Sequence, residues 1–591
     1  MQKLFQDIAK NKNLLIFIVN TVLCIISSLL CSLMGSLIGA VTISALLFII
    51  GTAALMGGLF REDLSVSFLK KNWPVVLTPL FSLGCLLLII LRCYKYSAAG
   101  GTYSRLGTIL GVMMIYMVSI FAELAVNGQW KFEKIFALQA AVFGIVFGMV
   151  FPMNTIADES QHMRTAYNLS NIMMGIQSPE DAVMMRQDDA DYDFSYTVYN
   201  LDDVNRYLKE LSEPLKNDTL VPVYEENLTP QTLDYAREPR VFKTEWYQYI
   251  APAAGITLGR LLKFNTISMY LLGRLFNLIL YITAVWFALK LIPAGKSILY
   301  TLSLNPISMQ LAASTSRDVF RITSAALVVS LTLYLFFTEK EQIRFRKTAI
   351  GALIVSSVLL FPLRSYVYSL IALLPVFLYL YRKKWITGKR IAIFTGVCTV
   401  LFIIAMILKY FVFPGNIVEE PKYLLSWTNE YRYTKEVFIN HPLFVFTFLK
   451  NTLIARGDYY VKTMIGYQLG WLDLNIPEYL VSAFLILTAV NTFRRDYESH
   501  RLSPGLRLTL FVFSWISVAL IIMGIAIVWT PVTSPIAEGV QGRYFLPIAL
   551  PMLLALRGNA ITANEKCDIY CICVQFIALI LTSSFLITRL L

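Results

Sequence analysis

Charge is what this chain has least of. Asp, Glu, Lys and Arg make up only 15% of its 591 residues, against about 25% in soluble domains. Histidine is scarcer still, at three. No Gly-rich nucleotide loop, Ser-His-Asp signal or zinc motif occurs, so nucleotide-, triad- and zinc-based chemistry have no motif to rest on. Of the eight cysteines, Cys24, Cys31, Cys85 and Cys398 lie in apolar runs, where a free thiol packs as a small hydrophobe. Cys567, Cys571 and Cys573 lack the paired spacing of a zinc site and have no histidine nearby. No cleavable signal peptide is expected, because the apolar run 14–33 is too long and has no small-residue cleavage site.

What is present instead is apolar. Hydrophobic residues reach 57%, mean hydropathy is +0.61, and apolar runs of about 20 residues recur, the length a bilayer-spanning helix requires. An all-α polytopic membrane protein follows. The net charge of +13 does not point to nucleic acid. Basic residues cluster in short loops, such as Arg382, Lys383, Lys384, Lys389 and Arg390, or Arg494, Arg495, Arg501 and Arg507, which is the positive-inside pattern.

Spans are expected at 14–33, 36–60, 74–92, 106–126 and 134–152. Further spans are expected at 268–290, 297–314, 319–338, 348–363, 366–381, 391–413, 478–493, 508–529, 544–557 and 569–588, about fifteen in all. Lys3, Lys10 and Lys12 place the N-terminus in the cytoplasm. The first four spans, within residues 1–130, form a separate bundle, and 131–591 form the main membrane domain, with outer loops at 153–267 and 414–476. The segment 247–262 is apolar but holds Pro252, two glycines and Arg260. It is expected to lie on the outer surface, since counting it as a span would turn later basic loops outward. An amphipathic helix is expected near 444–454, and the aromatics of 427–433 suit an interfacial belt. The acids Asp188, Asp189, Asp191, Asp193, Asp202 and Asp203 suit a solvated surface.

With this threading, the unusual polar residues converge on the outer face. Asp158, Glu159 and His162 open the first outer loop. Arg317 and Asp318 follow Ser314-Thr315-Ser316 at the outer start of a span, and Arg364 marks an outer turn. Trp471 and Asp473 lie in the second outer loop, and Gln541, Arg543 and Tyr544 in the last. Charged groups at bundle mouths are costly and functional by default. Each also has a plainer account. Asp158 and Glu159 suit a helix cap, Arg317 and Asp318 an internal ion pair, and Arg364 a snorkelling side chain. His162 suits a hydrogen-bonding surface residue. The glycines before Arg543 suit close backbone approach to a ligand. Together, a carboxylate that deprotonates an acceptor hydroxyl and arginines that match phosphate geometry fit transfer from an anionic lipid.

Several motifs occur in order: Asp158-Glu159-x-x-His162, Pro306 with Ser314 to Asp318, Leu469-Gly470-Trp471-Leu472-Asp473, and Gly539-Val540-Gln541-Gly542-Arg543-Tyr544-Phe545-Leu546-Pro547. They resemble a bacterial family of predicted membrane proteins of unknown function, placed within the GT-C glycosyltransferase superfamily, over roughly residues 135–590. The resemblance implies a GT-C-like fold with membrane-surface helices in the outer loops, in a bacterial cytoplasmic membrane. It implies inverting transfer from a polyprenyl-phosphate-linked sugar to a cell-envelope glycan or lipid-linked acceptor on the extracytoplasmic face. Asp158 resembles the general base, with Glu159 the alternative. His162, Arg317, Asp318, Arg364, Asp473, Gln541, Arg543 and Tyr544 are candidates for binding donor phosphate or substrate. No cofactor is expected and no metal is indicated, though a divalent ion is compatible with such a site. Two departures stand out: four spans precede the one leading into the acidic loop, and Arg317 stands where a small or apolar residue is expected. The competing class is a flippase for lipid-linked saccharides, which would show charges along a midplane path or inverted repeats. A third is a non-catalytic assembly scaffold.

Overall fold

In the computed structural model, residues 131–179, 182–192, 213–224, 245–338, 346–383, 424–425, 427–494, 502–558, 560–561 and 566–589 are described, with nine isolated positions between 78 and 121. The expected N-terminal bundle, those positions aside, and the span at 391–413 lie outside the described residues.

The chain runs from α1 (Phe132–Val150) to α2 (Glu159–Met173) and the antiparallel pair β1 (Ala182–Arg186) and β2 (Leu220–Tyr224). A 3-10 turn at Trp246–Tyr249 leads into α3 (Ile250–Leu261), α4 (Thr266–Leu291), α5 (Lys296–Ser303), α6 (Pro306–Ala312) and α7 (Asp318–Phe337). Then come α8 (Arg346–Leu360), a helical turn at Leu363–Tyr366, and α9 (Ser369–Arg382). The stretch that follows holds the hairpin β3 (Leu424–Leu425) and β4 (Glu430–Tyr431), α10 (Pro442–Ile465), and the hairpin β5 (Gln468–Leu469) and β6 (Leu474–Asn475). The chain closes with α11 (Glu478–Phe493), α12 (Pro504–Trp529), a 3-10 turn at Gly542–Phe545, α13 (Leu546–Leu556) and α14 (Cys567–Arg589).

Five of these helices, α1, α4, α7, α12 and α14, are long and apolar enough to cross a membrane. Three shorter apolar helices accompany them: α9, α11 and the stretch Gly542–Leu556. One core of aliphatic and aromatic side chains joins these helices. The run expected as a single span at 297–314 is instead broken into α5 and α6. The reason is local: Pro306 has no N–H to continue a helix, and the buried Asn305 side chain caps the new one by accepting from Ser308 N at 2.8 Å.

The ambiguous segment 247–262 becomes the 3-10 turn and α3. At 12 residues, α3 is about 18 Å long, short of the roughly 30 Å hydrocarbon core. It packs flat on α4 through Gly255 and Gly259. A Cβ at Gly255 would collide with Leu272 O, and one at Gly259 would lie 2.8 Å from Met269 Cα. Close backbone approach of this kind is how small residues join helices where lipid supplies no hydrophobic drive. The helix expected near 444–454 is α10, which runs well beyond those limits.

Candidate functional site

Asp158 decides where the site lies. It occupies the N-cap of α2, yet its side chain makes no capping hydrogen bond, and its backbone is left-handed at φ 63° and ψ 7°. A non-glycine residue held there costs about 1–3 kcal/mol and persists only where its surroundings fix it. What fixes it is Arg543, whose guanidinium forms an ion pair with the Asp158 carboxylate and donates to Ala157 O at 3.1 Å. The Asp158 side chain remains 38% exposed, while that of Arg543 is 4% exposed. Burial by itself raises the Asp158 pKa. Arg543, by its charge and its hydrogen bond, together with His162 outweighs burial and holds the carboxyl below its ordinary value.

Arg543 begins a ladder of alternating charge. Its Nη1 lies 3.8 Å from Asp318 Oδ2, and Asp318 Oδ1 accepts from Arg321 Nη1 at 3.0 Å. Arg321 continues to Glu245 Oε2 at 3.3 Å and donates from Nε to Gln248 Oε1 at 2.8 Å. Glu245 in turn accepts from the Arg364 backbone N at 2.5 Å, fixing a turn where Arg364 and Tyr366 both have positive φ. The Arg364 guanidinium lies 3.6 Å from the centre of the Tyr544 ring, a cation–π contact. Asp318 thus takes its partners from Arg321 and Arg543, and the expected pair with Arg317 does not form. Neighbouring residues on a helix point apart, whereas Arg321 stands one turn on and on the same side.

Arg317 is left over. It is half-buried at the N-cap of α7, beside Tyr249 and Asp318, and makes no hydrogen bond or ion pair among the described residues. Counting the cluster, four guanidiniums (Arg317, Arg321, Arg364, Arg543) face three carboxylates (Asp158, Glu245, Asp318), so one positive charge is in excess. His162, 5% exposed, shares a 3.0 Å hydrogen bond with the Tyr249 hydroxyl. Burial and then Arg317 depress its pKa to about 3, so the imidazole stays neutral.

Glu159 is not available for proton transfer. It is fully enclosed, at 0% exposure, and Arg274 grips both of its oxygens at 2.9 and 2.6 Å. Arg274 also donates to Gly148 O at 2.8 Å, Phe151 O at 2.5 Å and Pro152 O at 3.0 Å. The pair therefore clamps the end of α1 and the start of α2 onto α4. Of the two adjacent acids, one is a buried tie and the other faces the cluster.

Asp473 also departs from its expected place. It is exposed, and its Oδ1 accepts from Trp471 N at 2.9 Å, closing the β5–β6 turn, with no ion pair to an arginine among the described residues. That hairpin does brace the site: Gly470 O accepts from Ala157 N at 3.3 Å, and Trp471 Nε1 donates to Asn154 O at 3.0 Å. Gln541 is half-buried with its Oε1 unpartnered, and Arg543 Nε is likewise unpartnered. The glycines before Arg543 serve packing against protein. A Cβ at Gly542 would strike the backbone of α10 at Met464 N, and one at Gly539 would strike Trp529. The acidic stretch is only partly solvated, since Asp189, at 0% exposure, binds Arg186 at 2.7 Å and Thr266 at 2.7 Å. An open cavity of about 470 Å³ lies elsewhere, between residues 213–218 and 263–268.

Five residues that build the charged cluster and its supports escape the motif reading: Glu245, Gln248, Tyr249, Arg274 and Arg321. For two there was a signal. Arg274 and Arg321 lie inside apolar runs, where a charged side chain is expensive and marks a partner in the bundle interior.

Long apolar helices around a buried charged cluster at their ends define a membrane-embedded helical protein. The chain belongs to the family described as predicted membrane protein (DUF2142), which it matches over residues 141–552, a range that takes in every member of the cluster. Among curated proteins and among solved structures, nothing matches it.

Proposed function

We propose that this protein is an inverting glycosyltransferase of the GT-C type, acting on the extracytoplasmic face of a bacterial cytoplasmic membrane. The donor is a polyprenyl-phosphate-linked sugar, and the acceptor a cell-envelope glycan or a lipid-linked saccharide. One observation carries this: a strained, part-exposed carboxylate paired to Arg543 stands in a cluster with one guanidinium, Arg317, unspent. A cluster with one surplus positive charge is matched to an anion, and a guanidinium is suited to phosphate.

Asp158 is the base. In the resting state it is a poor one, because Arg543 holds its pKa down, and proton transfer is efficient when the base's pKa lies nearer the working pH. Donor phosphate, drawn first to Arg317, competes for the Arg543 guanidinium and releases Asp158. The acceptor hydroxyl then gives its proton to Asp158 while its oxygen attacks the anomeric carbon. The bond to the phosphate breaks on the opposite side, inverting that carbon. Charge developing on the departing phosphate is met by Arg317, Arg364 and Arg543.

The test is sugar transfer from a synthetic polyprenyl-phosphate donor by purified protein, alongside donor binding. Asp158→Asn removes proton acceptance and should lower turnover about 10²–10⁴-fold, with donor bound at least as well as by wild type because Arg543 is freed. Glu159→Gln is the neighbouring control. Asp158→Asn retaining full transfer would sink the assignment of the base. Wild type that moves lipid-linked saccharide across vesicles without transferring sugar would replace the enzyme with a flippase.

A further inference from the structure

The first turn of α14 carries a pair of thiols that the proposed transfer does not use. Cys567 and Cys571 are one helical turn apart, both free, with their sulfurs 4.0 Å from each other. Cys571 is 5% exposed, and Cys567 is half-buried. Arg494, which ends α11, pairs with Asp568 and reaches the Cys567 sulfur as well.

A disulfide is not the natural product of this arrangement. Side chains four apart on a helix hold their Cβ atoms about 5–6 Å apart, whereas a disulfide needs about 3.5–4.5 Å. A single ion between the sulfurs does fit. Metal–sulfur bonds of about 2.3 Å put the sulfurs of a straight S–metal–S unit about 4.6 Å apart, so the two sulfurs, 4.0 Å apart, have only to open slightly by side-chain rotation to take one ion between them. Among the described residues no three His, Cys, Asp or Glu side chains gather as a metal site, so zinc lacks its four ligands. Two thiolates alone suit a soft monovalent ion.

We propose that Cys567 and Cys571 form a two-sulfur site for a thiophilic monovalent cation of the copper(I) or silver(I) class. Binding displaces one proton from each thiol and leaves an anionic S–metal–S unit beside Arg494. No electron is transferred.

The experiment titrates purified full-length protein in detergent, without oxygen, with copper(I) in competition with a chromogenic chelator. Wild type should take up one more copper(I) per chain than the Cys567→Ser/Cys571→Ser double variant, which sets the baseline for the remaining cysteines. Either single variant should lose at least tenfold in affinity, and Cys573→Ser should lose none. Equal uptake by wild type and the double variant overturns the proposal. A second measurement needs no substitution: one equivalent of silver(I) should protect Cys567 of the wild type from a maleimide, read by peptide mass spectrometry. Undiminished labelling of Cys567 overturns it equally.

Discussion

Arg317→Gln separates a phosphate-binding arginine from a structural one, because the first loses donor affinity at nearly unchanged stability and the second does the reverse. In the resting protein Arg317 is half-buried with no hydrogen bond or ion pair among the described residues, so its removal leaves no group unsatisfied, and the relief of unburying a charge is set against the lost attraction of Asp318, Glu245 and Asp158. The melting temperature should therefore change little. Donor affinity should fall, since a hydrogen bond to a charged group contributes about 1.5–3 kcal/mol, which is about 10- to 150-fold in Kd. Arg543→Gln is the contrast. It strands Asp158 and takes a partner from Asp318, so stability and donor affinity should both decline. The assays are thermal unfolding in detergent, followed by tryptophan fluorescence, and equilibrium binding of a labelled polyprenyl-phosphate sugar. If Arg317→Gln melts as low as Arg543→Gln while binding donor like wild type, Arg317 is a structural residue and the surplus charge has no ligand.

Two further predictions concern neighbouring groups. Arg274→Met leaves Glu159, at 0% exposure, without its counter-ion and should destabilise by about 3–5 kcal/mol; adding Glu159→Gln should recover part of that loss, and a melting temperature left unchanged by Arg274→Met would contradict the clamp. His162 has a folded pKa of about 3 against an ordinary 6.5, so below pH 6.5 the unfolded chain binds a proton that the folded one refuses. Its contribution is complete above that pH and lost on acidification, by about 2 kcal/mol at pH 5; His162→Gln should flatten the fall in melting temperature between pH 7 and 5, and an unchanged slope would refute the neutral, buried imidazole.

The sequence makes the membrane class and the residues at the site legible to different degrees. Long apolar runs such as 268–290 and 508–529 announce themselves because the bilayer dictates length and composition. The run at 297–314 misleads because hydropathy averages over Asn305 and Pro306, which break it. Asp158, Arg364 and Arg543 are visible as polar residues at the ends of apolar runs. Their pairing is not, because Asp158 and Arg543 lie 385 positions apart and no spacing rule reaches that far. Adjacent acids look alike in sequence, and only the Arg274 side chain, arriving from α4, tells Glu159 from Asp158. Asp473 looks like a ligand by type, yet the turn it closes claims its carboxylate, as short polar side chains in turns commonly allow.

The pairing of Asp158 with Arg543 gives the cluster two requirements that pull against each other. A base must be unprotonated yet willing to accept a proton, and a salt bridge secures the first at the expense of the second. A structural ion pair would not need the left-handed backbone at Asp158, since an extended N-cap would let the carboxylate cap α2 at no strain. Turning the residue away from its own helix gives up a hydrogen bond and aims the carboxylate at Arg543 instead. Arg543 is itself aimed from a turn pressed against α10 and is shared with Asp318. Its hold on Asp158 therefore depends on what else competes for the guanidinium. An anion settling at Arg317 adds such a competitor and weakens the hold while the donor is in place. In the proposed transfer, coupling the base's strength to occupancy in this way would protect an unoccupied site from premature chemistry, and it would account for both the strain at Asp158 and the unpaired charge at Arg317.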